Sequence, residues 1–308
     1  MIRSLMVPLD GSRFGEQALP LAAAIVRKSG AALQVVHKHV PPAPVHPDSI
    51  LARDPRLDPR SRKLEQGYLD AIVARLTGDG LGRVSATLLE GAVADALVQH
   101  ATDSGVDLVV MTTHGRGPLQ RFWLGSVADT LMRRLPMLLL LVRPHDEEEE
   151  DEALLDPLPR RILVPLDGTD HAGRILRPAL DLGRLAGAEY HLLTVVAPVP
   201  VLGFDLAAYA PAGTDLLVTA QLQREAVDKL EKVAGPLREE GLTVHVHAVV
   251  EASAAATILE QCRSLKCDAI AIETHGRGGL SRLLLGSVAD KVVRGASVPV
   301  LVHRSPTT

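Results

Sequence analysis

Two segments of this chain occur twice, and this internal repeat limits the possible folds more than any other feature of the sequence. RSLMVPLDGS, from Arg3 to Ser12, returns as RRILVPLDGT from Arg160 to Thr169. The stretch from Thr113 to Asp129 returns from Thr274 to Asp290 and is identical at 13 of 17 positions. The chain is therefore predicted to contain two copies of one domain.

An acidic, proline-bounded stretch, PHDEEEEDEALLDPLP, separates the two copies. A block of like charges repels itself and stays solvated, which is typical of a linker. We therefore expect a first domain over residues 1–145, a linker over 146–159 and a second domain over 160–308. With 308 residues, 46% of them hydrophobic, each domain can bury its own core.

Within each copy, short apolar runs alternate with helical patterns. Aromatic residues make up only 2% of the chain, so Leu, Val, Ile and Ala must fill the core, as in parallel sheets covered by helices. The alternation predicts an α/β fold for each domain, a Rossmann-like five-stranded parallel sheet flanked by helices. In such folds ligands bind beyond the carboxyl ends of the strands.

The predicted strands of the first copy are Leu5–Leu9, Leu33–Val36, Val84–Leu89, Leu108–Met111 and Met137–Val142. Its predicted helices are Phe14–Ser29, Ser61–Thr77, Val93–Thr102 and Ser126–Leu135. The predicted strands of the second copy are Ile162–Leu166, His191–Val196, Thr243–Val250, Ala269–Ile272 and Val298–Val302. Long proline-rich segments follow the second strand of each copy, at Pro41–Arg60 and Ala197–Asp215, and long loops of this kind are either lids or disordered.

Charge and hydropathy exclude several classes of protein. A net charge of −4 and a pI near 6.3 leave no basic field, so we expect no nucleic-acid partner. The start of the chain has no long apolar segment, and no run approaches the roughly 18 apolar residues of a membrane span. We expect a cytoplasmic protein without a membrane partner, in which Cys262 and Cys267 pack inside the fold.

The repeated glycine-rich block comes directly after the fourth predicted strand of each copy. Gly115 and Gly117 turn the chain there, because glycine permits positive φ and close approach of a ligand. Ser126 follows Gly125 as the predicted N-cap of the next helix, with Asp129 as its capping-box partner. The same start recurs at Gly286, Ser287 and Asp290. Free N–H groups at a helix start suit an anion such as phosphate, although a tight strand-to-helix connection needs the same residues.

With these motifs the sequence resembles the universal stress protein family, whose nucleotide-binding members carry Gly-x2-Gly-x9-Gly-Ser/Thr after strand four. The later positions match as Gly115, Gly125 and Ser126 in the first copy and as Gly276, Gly286 and Ser287 in the second. The VPxD start also matches, and the resemblance implies that Asp10 and Asp167 contact an adenosine. It covers both halves except the linker and long loops, and it implies a fold like that of the adenine-nucleotide alpha hydrolases.

The two copies depart from the family pattern at different positions. The first glycine of the motif is replaced by Thr112 in one copy and Glu273 in the other. The apolar adenine contact of the family matches Lys38 in the first copy and Val195 in the second. The two pockets are therefore not equivalent.

We expect the second copy to be the better adenosine site. Pro165, Val195 and Ile272 can enclose an adenine ring there, and Glu273 can accept hydrogen bonds from the ribose or repel phosphate. In the first copy Lys38 puts an ammonium where adenine should stack, so that copy is degenerate or suited to another anion.

The resemblance gives a set of nucleotide-binding candidates in each copy. In the first copy these are Pro8, Asp10, Lys38, Thr112, Gly115, Gly117, Gly125, Ser126 and Val127. In the second copy they are Pro165, Asp167, Val195, Ile272, Glu273, Gly276, Gly278, Gly286, Ser287 and Val288. The implied cofactor is ATP or another adenine nucleotide, with Mg²⁺ as an optional companion.

Several histidines offer alternative chemistry. His37 and His39 with His46, or His245 with His247, could hold zinc, but carboxylate or cysteine partners at ligand spacing are missing, so a polar strand edge is favoured. We expect no metal site.

His114 and His275 stand beside the glycine turns. Each lacks the nucleophile and the orienting partner that catalysis needs, so turn or phosphate-neighbour roles are favoured. Arg116 and Arg277 fit phosphate contacts and solvated turns equally well. We expect no catalytic residue.

The sequence therefore predicts a stress-response module that acts by binding a nucleotide and passing its state to an unknown protein partner. The alternatives are a slow ATPase and a degenerate protein that acts only through protein partners. The apolar last strands, at Met137–Val142 and Val298–Val302, have edges that need cover. We expect the halves to form an intramolecular pseudo-dimer, and a homodimer of the whole chain is compatible with the sequence.

Overall fold

The computed structural model describes residues 2–41, 57–113, 124–144, 157–168, 172–200, 215–274 and 286–304. The chain divides into two compact units, Met1–Leu158 and Pro159–Thr308. The division falls at the end of the predicted linker, of which residues 146–156 lie outside the described residues.

The first unit alternates strands and helices. Its elements are β1 (Ser4–Leu9), α1 (Arg13–Glu16), α2 (Leu19–Ser29), β2 (Ala32–Lys38), α3 (Leu57–Gly78), β3 (Val84–Leu89), α4 (Val93–Asp103), β4 (Leu108–Thr112), α5 (Ser126–Arg134) and β5 (Leu138–Val142).

The second unit repeats this order, with a short 3₁₀ helix at Ala172–Ile175. Its elements are β6 (Arg161–Pro165), α6 (Leu176–Gly183), β7 (Glu189–Val196), α7 (Leu216–Glu239), β8 (Val244–Val250), α8 (Ala254–Ser264), β9 (Ala269–Glu273), α9 (Ser287–Gly295) and β10 (Val300–His303).

Each unit contains a five-stranded parallel sheet, which confirms the predicted fold class. The strand order is β3-β2-β1-β4-β5 in the first unit and β8-β7-β6-β9-β10 in the second. β1 pairs in parallel with β2 from Ser4 to Leu9 and with β4 through Leu5 and Met6. Because the chain runs outward from β1 to β3 and then returns to β4, right-handed crossovers place α4 and α5 on the face opposite α3.

The central strands are buried because helices cover both faces of each sheet. Leu5, Met6 and Val7 are fully buried in β1, and Leu163 and Val164 are fully buried in β6. Burial of apolar surface stabilises a fold by roughly 25 cal/mol per Å² removed from water. These runs of buried aliphatic side chains therefore explain why a chain so poor in aromatics folds.

Two predicted helices begin at other positions than the sequence pattern indicated. The predicted helix Phe14–Ser29 is two helices, α1 and α2, because Pro20 stands in the first turn of α2, where its missing N–H costs no hydrogen bond. The predicted helix Ser61–Thr77 begins earlier, at Leu57 in α3.

The two cysteines pack inside the second unit, as the sequence predicts. Both thiols are free and buried, and the Cys262 Sγ–H donates to the carbonyl of Cys267 at 3.5 Å. Burial raises the pKa of Cys262 to about 11 and that of Cys267 to about 12. Both therefore remain protonated, unreactive thiols at neutral pH.

Among the helices that the structure describes, none combines the length and the apolar composition of a membrane span.

A buried histidine ties α3 to the end of β2. His39 is 2% exposed, its Nδ1 lies 2.5 Å from Glu65 Oε2, and its Nε2 lies 2.8 Å from Asp58 Oδ1. The hydrogen bond to Glu65 raises the pKa of His39, and the bond to Asp58 adds to the effect against the opposing cost of burial. Because both ring nitrogens face carboxylates, the imidazolium form fits this site best. His39 is therefore a structural ion-pair residue.

We predict that this contact makes the stability of the first unit depend on pH. His39 has a higher pKa in the folded chain than in the unfolded chain, so its stabilisation is complete below pH 6.5 and is lost as pH rises through the folded pKa. The variant His39→Gln should therefore lose most free energy of unfolding, relative to the parent, near pH 6 and least near pH 9. Urea unfolding across that range measures the difference, and a constant difference would contradict the assignment.

Candidate functional site

The end of β1 forms a tight turn around Asp10. Its Oδ1 accepts hydrogen bonds from the Ser12 N–H at 2.9 Å and the Ser12 hydroxyl at 2.6 Å. The Ser12 hydroxyl in turn accepts from the Gly15 N–H at 3.1 Å and caps α1. A Cβ on Gly15 would lie 2.6 Å from Asp10 Oδ1, so only glycine fits beside this carboxylate. The turn holds Asp10 in one place.

The start of α5 lies beside the end of β4. The N–H of Gly125 donates to the carbonyl of Thr113 at 2.8 Å, and Gly125 is the N-cap of the helix. The second unit repeats this contact, because the N–H of Gly286 donates to the carbonyl of Thr274 at 2.8 Å. A Cβ on Gly286 would lie 2.7 Å from that carbonyl oxygen, which explains the glycine.

The predicted capping box is wrong in the first unit. Ser126 is the first helical residue and not the N-cap, which is Gly125 and has no side chain to cap the helix. Asp129 instead pairs with Arg133, one turn further along, at 3.0 and 3.1 Å. The reason is that the bond from Gly125 to Thr113 fixes Gly125 in the capping position.

The predicted capping box is also wrong in the second unit. Gly286 is the N-cap of α9, Ser287 is its first helical residue, and Asp290 pairs with Arg294 at 3.0 Å. In both units the N-cap is a glycine, which has no side chain to bond to the first helical N–H groups.

A cavity of about 270 Å³ lies at the carboxyl edge of the first sheet, next to the switch from β1 to β4. All of the first-copy candidates that the structure describes line it, namely Pro8, Asp10, Lys38, Thr112, Gly125, Ser126 and Val127. The first intrahelical bond of α5 runs from the Asp129 N–H to the Gly125 carbonyl, so the N–H groups of residues 126–128 have no acceptor within the helix. The cavity therefore combines an apolar wall with anion-binding donors.

The second unit is built differently at the matching positions. Glu273, the counterpart of Thr112, is buried, and the Nδ1 of His303 lies 2.8 Å from its Oε2. His303 lies directly beside Glu273 in the pairing of β9 with β10, where the first unit pairs Thr112 with Val142. The carboxylate expected to meet a ribose is thus paired within the protein.

A larger cavity of about 660 Å³ lies in the second unit, between the end of β7 and α7. Asp167 and Val195 line it, together with the charged residues Glu225 and Lys229 of α7. The other described second-copy candidates, Pro165, Ile272, Glu273, Gly286, Ser287 and Val288, are not among its lining residues. Leu166, Asp167 and Val195 line it at the positions of Leu9, Asp10 and Lys38 in the first cavity. The second cavity thus covers part of the matching site, but it extends toward α7 and does not include the start of α9.

Some predicted residues lie outside the described residues. These are His46, His114, Gly115, Arg116, Gly117, His275, Gly276, Arg277 and Gly278.

The sequence offers His245 with His247 as a zinc pair that lacks further partners, and the structure adds His191 and Glu189 beside them. His191 on β7 pairs directly with His245 on β8, and Glu189 lies two residues before it on the same face. The Nδ1 of His191 lies 3.1 Å from the Nε2 of His247. The missing signal was strand register, because period-two spacing in both strands brings these four residues together.

Burial and the neighbouring rings of His245 and His247 lower the pKa of His191 to about 4. Burial, followed by the charge of His245, also lowers the pKa of His247. Both rings are therefore neutral at pH 7.

The comparisons with known proteins all identify one protein family. The model of the Universal stress protein family matches residues 1–143 and again residues 159–304. A universal stress protein of Methanocaldococcus jannaschii is 33% identical over 148 residues, which are 48% of this chain and 83% of that protein.

Longer matches extend across both units. A universal stress protein of Mycobacterium tuberculosis is 32% identical over 202 residues, 64% of this chain, and the match spans 62% of that relative's length. The crystal structure of a putative universal stress protein from Pseudomonas aeruginosa shares the fold, with a TM-score of 0.67 at 18% identity over 98% of this chain and 93% of that one. The chain therefore belongs to the universal stress protein family, which it matches once in each half.

Proposed function

We propose that this protein is a stress-response module that binds an adenine nucleotide in its first domain and acts by binding, not by catalysis. The supporting observation is the cavity at the β1–β4 switch, where all seven described first-copy candidates meet. Its volume of about 270 Å³ is close to the lower end of the roughly 300 to 1,000 Å³ of small-molecule pockets.

The walls of the cavity suit the two parts of a nucleotide. Val36, Leu97 and Met111 are apolar lining residues that can contact a base. The N–H groups of residues 126–128, which have no acceptor within α5, and the Lys38 side chain offer positive charge to phosphates. ATP or another adenine nucleotide, with or without Mg²⁺, has both an apolar base and charged phosphates and so matches these two parts of the wall.

The sequence favours the second domain as the nucleotide site, whereas the geometry favours the first. Lys38, which the sequence puts where adenine should stack, lines the same cavity as the start of α5 and so can neutralise a phosphate instead. In the second domain Glu273 already pairs with His303. We therefore place the nucleotide in the first domain.

The polar side chains of the described cavity support ligand binding. Two hydrogen bonds from Ser12 hold the Asp10 carboxylate in place as an acceptor for the ligand. We further propose that nucleotide occupancy is read by a protein partner, and that the two domains associate as an intramolecular pseudo-dimer. Small-angle scattering that resolves two well-separated lobes would contradict the pseudo-dimer.

A charge placed at the start of α5 tests the phosphate site. We predict that Ser126→Asp weakens ATP binding at least about fivefold, because a carboxylate about 4 Å from a phosphate costs at least about 1 kcal/mol. Aspartate in the first turn stabilises a helix, so the variant should stay folded. Isothermal titration calorimetry measures the affinity, and circular dichroism checks the fold.

The matched control is Ser287→Asp, at the same position of the second domain. It should leave ATP binding unchanged. Loss of binding in Ser287→Asp alone would move the site to the second domain and restore the order expected from the sequence.

The glycine beside Asp10 gives a second test. In Gly15→Ala the new Cβ would lie 2.6 Å from Asp10 Oδ1 and displace the carboxylate, so adenosine binding should weaken threefold or more. Gly173→Ala is the control, because a Cβ there meets no described atom within 4 Å. Equal adenosine affinity in the two variants would exclude Asp10 as a contact.

The proposal also predicts that bound ATP stays intact. Purified protein incubated with radiolabelled ATP should release ADP no faster than the double variant His114→Ala/His275→Ala. A rate that falls in the double variant would favour the slow ATPase instead.

A further inference from the structure

The structure assigns a second, separate binding site to the second domain, and we propose that Glu189, His191 and His245 bind a divalent transition-metal ion of the zinc class. One carboxylate oxygen and one ring nitrogen from each histidine lie within 4.8 Å of one another. The three residues come from the neighbouring strands β7 and β8, near the amino ends of both, and the candidate nucleotide cavity lies in the other unit. The inference therefore does not depend on the proposed nucleotide site.

The ligand set identifies the class of ion. Imidazole suits zinc, copper and nickel, whereas magnesium and calcium prefer oxygen ligands. Two histidines and one glutamate, with the fourth position open, are a known ligand set for zinc. Ligand atoms around tetrahedral zinc lie about 3.3 Å apart, which follows from bonds of about 2.0 Å. The 3.9 Å between His245 Nε2 and Glu189 Oε2 is close to this spacing.

The buried histidine gives the strongest argument. His191 is 7% exposed, and its Nε2 is buried without a hydrogen-bond partner among the described residues. A buried polar atom without a partner costs about 1 to 3 kcal/mol, and a bound ion would remove that cost. The other ring nitrogen, Nδ1, lies 3.1 Å from His247 Nε2. His247 can therefore orient the ring, as outer partners of metal-bound histidines do.

The site is open to solvent on one side. The side chains of Glu189 and His245 are 43% and 47% exposed, so an ion can enter without unfolding the sheet. The Arg161 guanidinium lies near the proposed site, with its Nε 3.8 Å from Glu189 Oε2. That contact is long and exposed, and a divalent ion would displace it.

The first domain shows what this part of the sheet contains without such a site. By strand register, Glu189, His191, His245 and His247 correspond to Ala32, Gln34, Ser85 and Thr87. There Gln34 accepts a hydrogen bond from His100, so the polar position is satisfied inside the protein. The three proposed ligands and His247 therefore occur together in one copy of a duplicated fold.

The test uses the untagged full-length protein, freed of metal with a chelator, and zinc chloride in a buffer that does not bind metal. We expect one Zn²⁺ per chain in calorimetry, and Co²⁺ should give the visible absorption bands of a low-coordinate site. Bound zinc should raise the melting temperature, because it binds only the folded chain.

The key variant replaces the second domain's residues by those of the first, as His191→Gln/His245→Ser/His247→Thr. These residues already fit the same fold, so the variant should fold and should bind Zn²⁺ at least tenfold more weakly. Glu189→Gln, at an exposed position, should weaken binding in the same direction. His39→Gln is the control, and its zinc affinity should match the parent.

Other outcomes would overturn the assignment. If the triple variant or Glu189→Gln binds Zn²⁺ as the parent does, the ion is held elsewhere. If the parent shows no stoichiometric binding at micromolar Zn²⁺, the histidines hold no site. If His39→Gln loses binding, the site belongs to the first domain.

Discussion

The pairing of β1 with β2 on one side and β4 on the other is the constraint on which the rest of the first domain depends. β2 and β3 are added on one side of β1, and β4 and β5 on the other. The crossover helices of the two groups therefore lie on opposite faces of the sheet, and a cleft opens between β1 and β4 at their carboxyl ends. The turn around Asp10 follows β1 and the start of α5 follows β4, so the two meet in that cleft. The binding chemistry is thus a consequence of chain order.

The sequence predicted the architecture because its signals are local. Aliphatic runs identified every strand, and the repeat identified the two domains. Helix starts were harder. The single helix predicted across α1 and α2 was wrong because Pro20, which is visible in the sequence, starts a new helix there. The predicted capping boxes were wrong because the bond from the Gly125 N–H to Thr113 is a backbone contact that a sequence pattern does not contain.

The candidate sites show the same division between local and long-range information. The glycine block and the VPxD start are contiguous, so the first-domain residues could be identified before the structure. Of the histidine group, the sequence indicated only His245 and His247, because His191 stands far from them in the chain and meets them only through the register of β7 and β8. A spacing rule that compares histidines on predicted neighbouring strands could have found it.

The buried Glu273–His303 pair has a consequence for how a duplicated gene can change. An exchange of matching segments between the two copies would mix residues that differ between them. An exchange that replaced β10 by the first copy's last strand would put a valine beside Glu273 and remove the histidine from a buried carboxylate, which costs about 1 to 3 kcal/mol or more. Selection against such hybrids would keep the two halves distinct.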